Sequence, residues 1–444
     1  MRLVVGLIVL AGLAGWLVSA QTAPTISPLP WPTVARDEAP KTLTLVLVGD
    51  TGLNGEGTFV SAQGARKNGD VIGWDEAIGN IAPEIDGDLN FANLETVVTE
   101  RNDLVAEPKL FTFRTHPEAV RRLVRAGFNL FSAANNHAMD FGYEGTRETM
   151  RNLDLLAAEG GLIAYAGLGT DRDAAAAPKL FDLRGRHIAF SAIGIASSST
   201  ADADHPGQLA YQTDRDFNEV VAQLRAAPAD FRILSVHHGN EFEVRTADDD
   251  RDRLHNRALL RAGIDLIVGH HQHVVAGVEL TQGKVIFYGL GNFLHLGTQD
   301  MSAFDICRDY GLIARVYLAA SDSGKFSVRA IEAIPIRRMH IRTARFAPQD
   351  SGDRIHVLNH LAEALDNPAE DAWGVRFAQQ PSGTGLYCAP GAQNDQGAVG
   401  TMCASAVPLQ PPPEALRQRI ATACARSVTR PLIGGADPAA PVSE

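Results

Sequence analysis

Apolar and polar positions alternate in blocks along residues 41–345, and the blocks predict strands and helices in turn. Five apolar runs, Leu43–Val48, Asp88–Ala92, Phe128–Ala134, Phe231–Val236 and Ile264–Val268, have the length and bounds of strands, the last buried on both faces as in a parallel sheet. Between them lie amphipathic stretches at Pro117–Ala126, Tyr143–Glu159, Asp214–Ala226 and Asp250–Ala262, with Leu153, Leu156 and Ala157 spaced for one helix face. Strand and helix in repetition means an α/β fold. Leu312–Ala319 and Phe326–Ile336 flank the turn Ser321–Gly324 and predict an antiparallel hairpin, so the sheet system is mixed.

Ligands in open α/β sheets gather beyond the carboxyl ends of the strands. Each of the five runs ends there in side chains that can hold a metal. They are Gly49-Asp50, Asn93-Leu94-Glu95, Asn135-Asn136-His137 with Asp140, His237-His238-Gly239-Asn240-Glu241, and Gly269-His270-His271-Gln272-His273. Three imidazoles within four positions past a buried strand suit a transition metal better than a core.

The ends of the chain read differently. Leu3–Val18 is apolar and short for a membrane span, and Val18-Ser19-Ala20 has the small residues of a signal-peptidase site. Residues 1–20 are therefore expected to be a signal peptide, with an uncleaved anchor as the alternative, and the destination to be the periplasm or cell envelope. Prolines at 24, 28, 30, 32 and 40 make residues 21–40 a linker. The main domain is expected at 41–345, followed by an Ala/Pro/Gly-rich extension at 346–444 with two short helices near 354–366 and 414–426 and a disordered end. Four cysteines in an exported chain suggest two disulfides in one of three pairings. We expect Cys388 with Cys403, closing a loop, and Cys307 with Cys424, tying the extension to the body. The net charge of -12 argues against general nucleic-acid binding, which depends on neutralising phosphates. An anionic substrate then needs metal ions and a local basic group, for which Arg114 is the candidate.

The six ordered motifs Gly49-Asp50, Asn93–Glu95, Asn135–Gly142, His237–Glu241, Gly269–Val274 and Tyr288–Phe293 resemble the CapA family over roughly residues 42–300. Those proteins are associated with bacterial capsule and poly-γ-glutamate synthesis and are related to the calcineurin-like metallophosphoesterases. The resemblance implies a four-layer sandwich of two mixed β-sheets flanked by helices, like the metallo-dependent phosphatases, with one or two divalent ions (Mn, Fe or Zn) at the strand ends. Asp50, Glu95, Asn136, His237 and two of the three imidazoles at 270–273 would be the ligands, Glu95 as the bridging carboxylate. His271 and His273 are preferred because alternate residues of an extended chain point the same way, with His270 the substitute. A water on the metal would be the nucleophile, and His137 the general acid, with Asp140 fixing its tautomer and raising its basicity. Asn93, Asn292, Glu241, His270 and Arg114 are left to contact substrate, an anionic polymer or a phosphoester.

Two features depart from the phosphoesterase pattern. Gly52 stands where the second ligand of D-x-H would be, a feature shared with the CapA pattern, and Gly-His-His-Gln-His replaces G-H-x-H. Taken singly, each motif also has a plainer reading: Asp50, Asn136 or Asp140 as helix caps, His237 as a buried hydrogen-bonded histidine. Two functions stay open. One is a metal-dependent hydrolase; the other is a non-catalytic polymer-binding or assembly partner of capsule-synthesis membrane proteins.

Overall fold

The computed structural model describes residues 41–426 except 56–59, 68, 196–199, 245–249 and 322–323, so the expected signal peptide at 1–20, the expected linker at 21–40 and the last residues lie outside the described residues. Two large mixed sheets and three two-stranded ones make up the β structure among the described residues. The expected α/β class, with mixed sheets flanked by helices, stands.

The Thr42–Gly52 strand lies at the middle of the larger sheet. Its alternation of Leu and Val fills both faces, and it runs antiparallel to Gly311–Ala320 and parallel to Leu89–Leu94. Leu130–Ser132 and Ala164–Ala166 extend the sheet on one side, and the hairpin partner Phe326–Arg337 extends it on the other. In the second sheet Arg186–Gly194, Phe231–His237, Leu266–His270 and Lys284–Phe287 run parallel in that order. Their inner side chains share one core with the larger sheet, and Phe91 meets Phe190 edge to face at 5.9 Å. Such burial contributes roughly 1.5–3 kcal/mol for each large apolar side chain.

A short strand, Asn292–His295, joins the end of the first strand in parallel, with Asp50 opposite Asn292 and Gly52 opposite His295. Backbones meet closely here. A Cβ on Gly49 would lie 1.7 Å from the Gly291 carbonyl oxygen, so only glycine allows the Asp50 amide to donate to that oxygen at 2.9 Å.

The C-terminal extension is more ordered than its composition suggests. A helix runs over Pro348–Glu363, where the proline at the first position needs no amide partner. Ala372–Gly374 then completes one edge of the smaller sheet, and Gly385–Cys388 pairs with Phe326–Arg337 in the larger one. The disulfides join Cys307 to Cys424 and Cys388 to Cys403, the expected pairing. No helix among the described residues is long and apolar enough to cross a membrane.

Candidate metal centre

The strand ends deliver their polar side chains to one buried place. Asp50 leaves the first strand, Glu95 follows Leu89–Leu94, and His237 ends its own strand; all three are 0–1 % exposed. Around His237 Nε2 lie Asn136 Oδ1 at 2.8 Å, His271 Nδ1 at 3.2 Å and Glu95 Oε1 at 3.4 Å. On the other side of Glu95, His273 Nδ1 stands 3.2 Å from Asp50 Oδ2 and 3.9 Å from Glu95 Oε2. Two groups of ligand atoms result, Glu95 with His237 and His271, and Asp50 with Glu95 and His273. Glu95 belongs to both.

His271 and His273 reach these groups by a route other than an extended chain. The strand stops at His270, and both residues then take positive φ, 97° and 57°, in a region that residues bearing a side chain rarely occupy. Backbone strain of this kind concentrates at functional sites. His270 lies behind them, stacked on Phe91 at 5.5 Å with Nδ1 3.6 Å from Asp50 Oδ1.

Electrostatics favour a cation. Burial lowers His270 to about 4 and His271 to about 3, which favours the neutral imidazole that can bind a metal. Burial also opposes a charged His273, yet the Glu95 charge and the bond to Asp50 outweigh it and push it up to about 10. Burial would raise Asp50 and Glu95 as well. The nearby imidazoles reverse this and hold Asp50 below, and Glu95 well below, the usual carboxylate range. Neither Glu95 oxygen, and neither ring nitrogen of His270 or His295, has an aligned hydrogen bond although all are buried. Each such orphan costs about 1–3 kcal/mol or more. Carboxylates, imidazoles and an amide oxygen with no thiolate fit a divalent ion such as Mn, Fe or Zn.

The other expected site residues divide. Asn93 Nδ2 donates to Asp50 Oδ1 at 2.8 Å and approaches His237 Nδ1 at 3.1 Å, so it orients the metal-competent groups. Asn292 Oδ1 accepts from His273 Nδ1 at 2.9 Å. A narrow cleft of about 50 Å³ opens above them, lined by His137, His273, Asn292, Glu241, Phe113 and Phe242 among others. Arg114 is not part of it. Its guanidinium is buried against the Phe141 ring and donates to the Arg101 carbonyl.

His137 Nδ1 is 2.7 Å from Asp140 Oδ2, and the ring stacks on Phe113 at 4.1 Å between centroids. Asp140 also accepts from Lys109 Nζ and from the Phe113 amide, each at 2.5 Å. Burial lowers His137 below an ordinary histidine; Asp140 raises its basicity, as expected, but only in part offsets that burial.

His295 joins the centre without having been singled out. It is wholly buried, with Nε2 3.3 Å from Glu95 Oε2. A lone histidine in Asn292-Phe293-Leu294-His295-Leu296 has no ligand spacing to mark it, and the only hint in the sequence is the ligand that Gly52 cannot supply.

Comparison with known proteins agrees with the ordered motifs. A probable polyglutamine synthesis accessory protein of Mycobacterium tuberculosis is 28% identical over 319 residues, 69% of this chain and 79% of its own. The PGA biosynthesis protein CapA of Bacillus subtilis is 28% identical over 280 residues, 61% of this chain and 67% of its own. Among solved structures, a 5'-nucleotidase precursor from Thermus thermophilus aligns with 70% of this chain and 55% of its own at 12% identity and a TM-score of 0.37. Residues 44–296, which carry every donor of the centre, match the family described as Bacterial capsule synthesis protein PGA_cap. The chain that builds this buried carboxylate and imidazole cluster belongs to that family.

Proposed function

We propose that this protein is an exported, metal-dependent hydrolase of the cell envelope that acts on phosphoesters or an envelope polymer in capsule or poly-γ-glutamate biosynthesis. The observation that carries the proposal is that His137, backed by Asp140, lines the same cleft as His273 and Asn292. A site that only binds has no need of a proton donor there. Asp50, Glu95, Asn136, His237, His271 and His273 would hold one or two ions within a four-layer sandwich. When bound, such an ion supplies a Lewis acid and brings a water's pKa near neutrality. Asn93 and Asn292 keep the donors oriented, and the Phe113 and Phe242 rings limit water around the reacting group. His137, its Nδ1 held by Asp140, keeps Nε2 for the leaving oxygen.

The purified protein, assayed with manganese on a phosphomonoester and a phosphodiester, should turn over. Asp50→Ala should lose both metal and activity. His137→Ala should keep metal and lose about 10²–10⁴-fold on alkyl esters, and much less on a nitrophenyl ester, whose leaving group needs no proton. The name of the M. tuberculosis relative, an accessory protein, supports a second reading, assembly of an anionic polymer beside membrane partners. Metal without turnover on any ester would favour it.

A further inference from the structure

We propose that His295 is a metal ligand and supplies the imidazole that Gly52 cannot. The inference rests on the metal-centre reading above and adds a residue to the group of Asp50, Glu95 and His273.

Three observations converge on it. The first is register: Asn292–His295 pairs in parallel with the end of the first strand, with His295 directly opposite Gly52. A side chain two residues past Asp50 would share the face of Asp50 on an extended strand. The second is space. A Cβ built on Gly52 would come within 3.1 and 3.2 Å of His295 Cε1 and Nε2, so the imidazole occupies the volume into which a side chain at 52 would project. The two strands thus exchange the origin of one ring while keeping the ring in place. The third is polarity, because His295 is wholly buried and neither ring nitrogen has an aligned hydrogen bond, Nε2 facing only the Glu95 carboxylate at 3.3 Å. A histidine kept only for packing would leave two polar atoms unsatisfied between Phe113, at 5.1 Å, and His273, at 5.8 Å.

Distances agree. His295 Nε2 to Glu95 Oε2 is 3.3 Å, and His273 Nδ1 to Asp50 Oδ2 is 3.2 Å. Donors about 2.0–2.2 Å from a common ion are separated by spacings of this order. His295 would give the group a second nitrogen, and two carboxylates with two imidazoles make a complete set for a four-coordinate ion.

The full chain is stripped with a chelator, reloaded with Mn²⁺ or Zn²⁺, and followed by elemental analysis, calorimetric titration and the metal-induced rise in thermal midpoint. His295→Phe, His295→Gln and His271→Ala are compared with the wild type. His295→Phe should fold without metal at least as stably as the wild type, since a ring without polar atoms replaces an unsatisfied one. It should lose one ion per chain, or bind more weakly by over the roughly 10–100-fold that loss of an outer-shell partner costs. His295→Gln, which keeps an amide oxygen, should fall between the two, and it decides the question if the phenyl ring does not fold. Wild-type stoichiometry and affinity in a folded His295 variant, with weakened binding in His271→Ala, would overturn the assignment of His295 and leave the metal centre standing. A wild type that takes up no ion would overturn both.

Discussion

Asp140 divides its carboxylate among the His137 ring, the Lys109 ammonium and the Phe113 amide, and this division governs the acidity of the proposed proton donor. The Lys109 charge lowers His137, in the same direction as burial. An acid works in its protonated form, so activity that depends on His137 falls as pH rises through its pKa. Lys109→Met removes the cation, and the descending limb of kcat/KM on an alkyl ester should move to higher pH. An unmoved limb would mean that another group donates. At this scale Asp50, Glu95, Asn136 and His237 were legible in the sequence because each stands at the end of an apolar run. The positive φ of His271 and His273 was not, since loop curvature depends on what packs around it. The place of Arg114 was hidden for a similar reason: its charge is visible in a sequence, but its burial against Phe141 is a property of the folded chain.

Elements are held in place by buried ion pairs as well as by apolar faces. Arg257, on the Asp250–Arg261 helix, donates twice to Glu279 at 2.9 and 3.0 Å, once to Glu370 and once to the Leu365 carbonyl, while Tyr288 donates to the same Glu279. One guanidinium thus joins a helix, the Val278–Thr281 strand of the smaller sheet and the extension. Removing one partner strands the other in the interior, so Arg257→Ala should lower stability by about 3–5 kcal/mol, read as a lower urea midpoint. Methionine there, with Glu279→Gln, should cost less. The principal strands and helices follow the hydrophobic pattern within a few residues, because each buries a face of its own. Ala372–Gly374 and Gly385–Cys388 escape that pattern, since three or four residues are a strand only by virtue of the neighbour they pair with.

Across the whole molecule the extension ties both sheets together, and the two disulfides close loops of very different length. Cys307 and Cys424 are 117 residues apart, Cys388 and Cys403 only 15. Loop-closure entropy makes the longer link the more stabilising, so replacing Cys307 and Cys424 by serine should cost about 2–4 kcal/mol in a urea melt, more than the same change at Cys388 and Cys403. Near Cys307, Arg308 donates to the Phe242 carbonyl beside the cleft and to the Ala423 and Arg426 carbonyls at the end of the last described helix. The sheet built on the Thr42–Gly52 strand thus extends to the Gly385–Cys388 strand, with two strands between them, and the structure is fastened at Cys424. During synthesis, then, the amino-terminal strands emerge long before the partners that complete their sheet. Each large sheet keeps an open edge, exposed to chaperones, until the strands of the extension arrive.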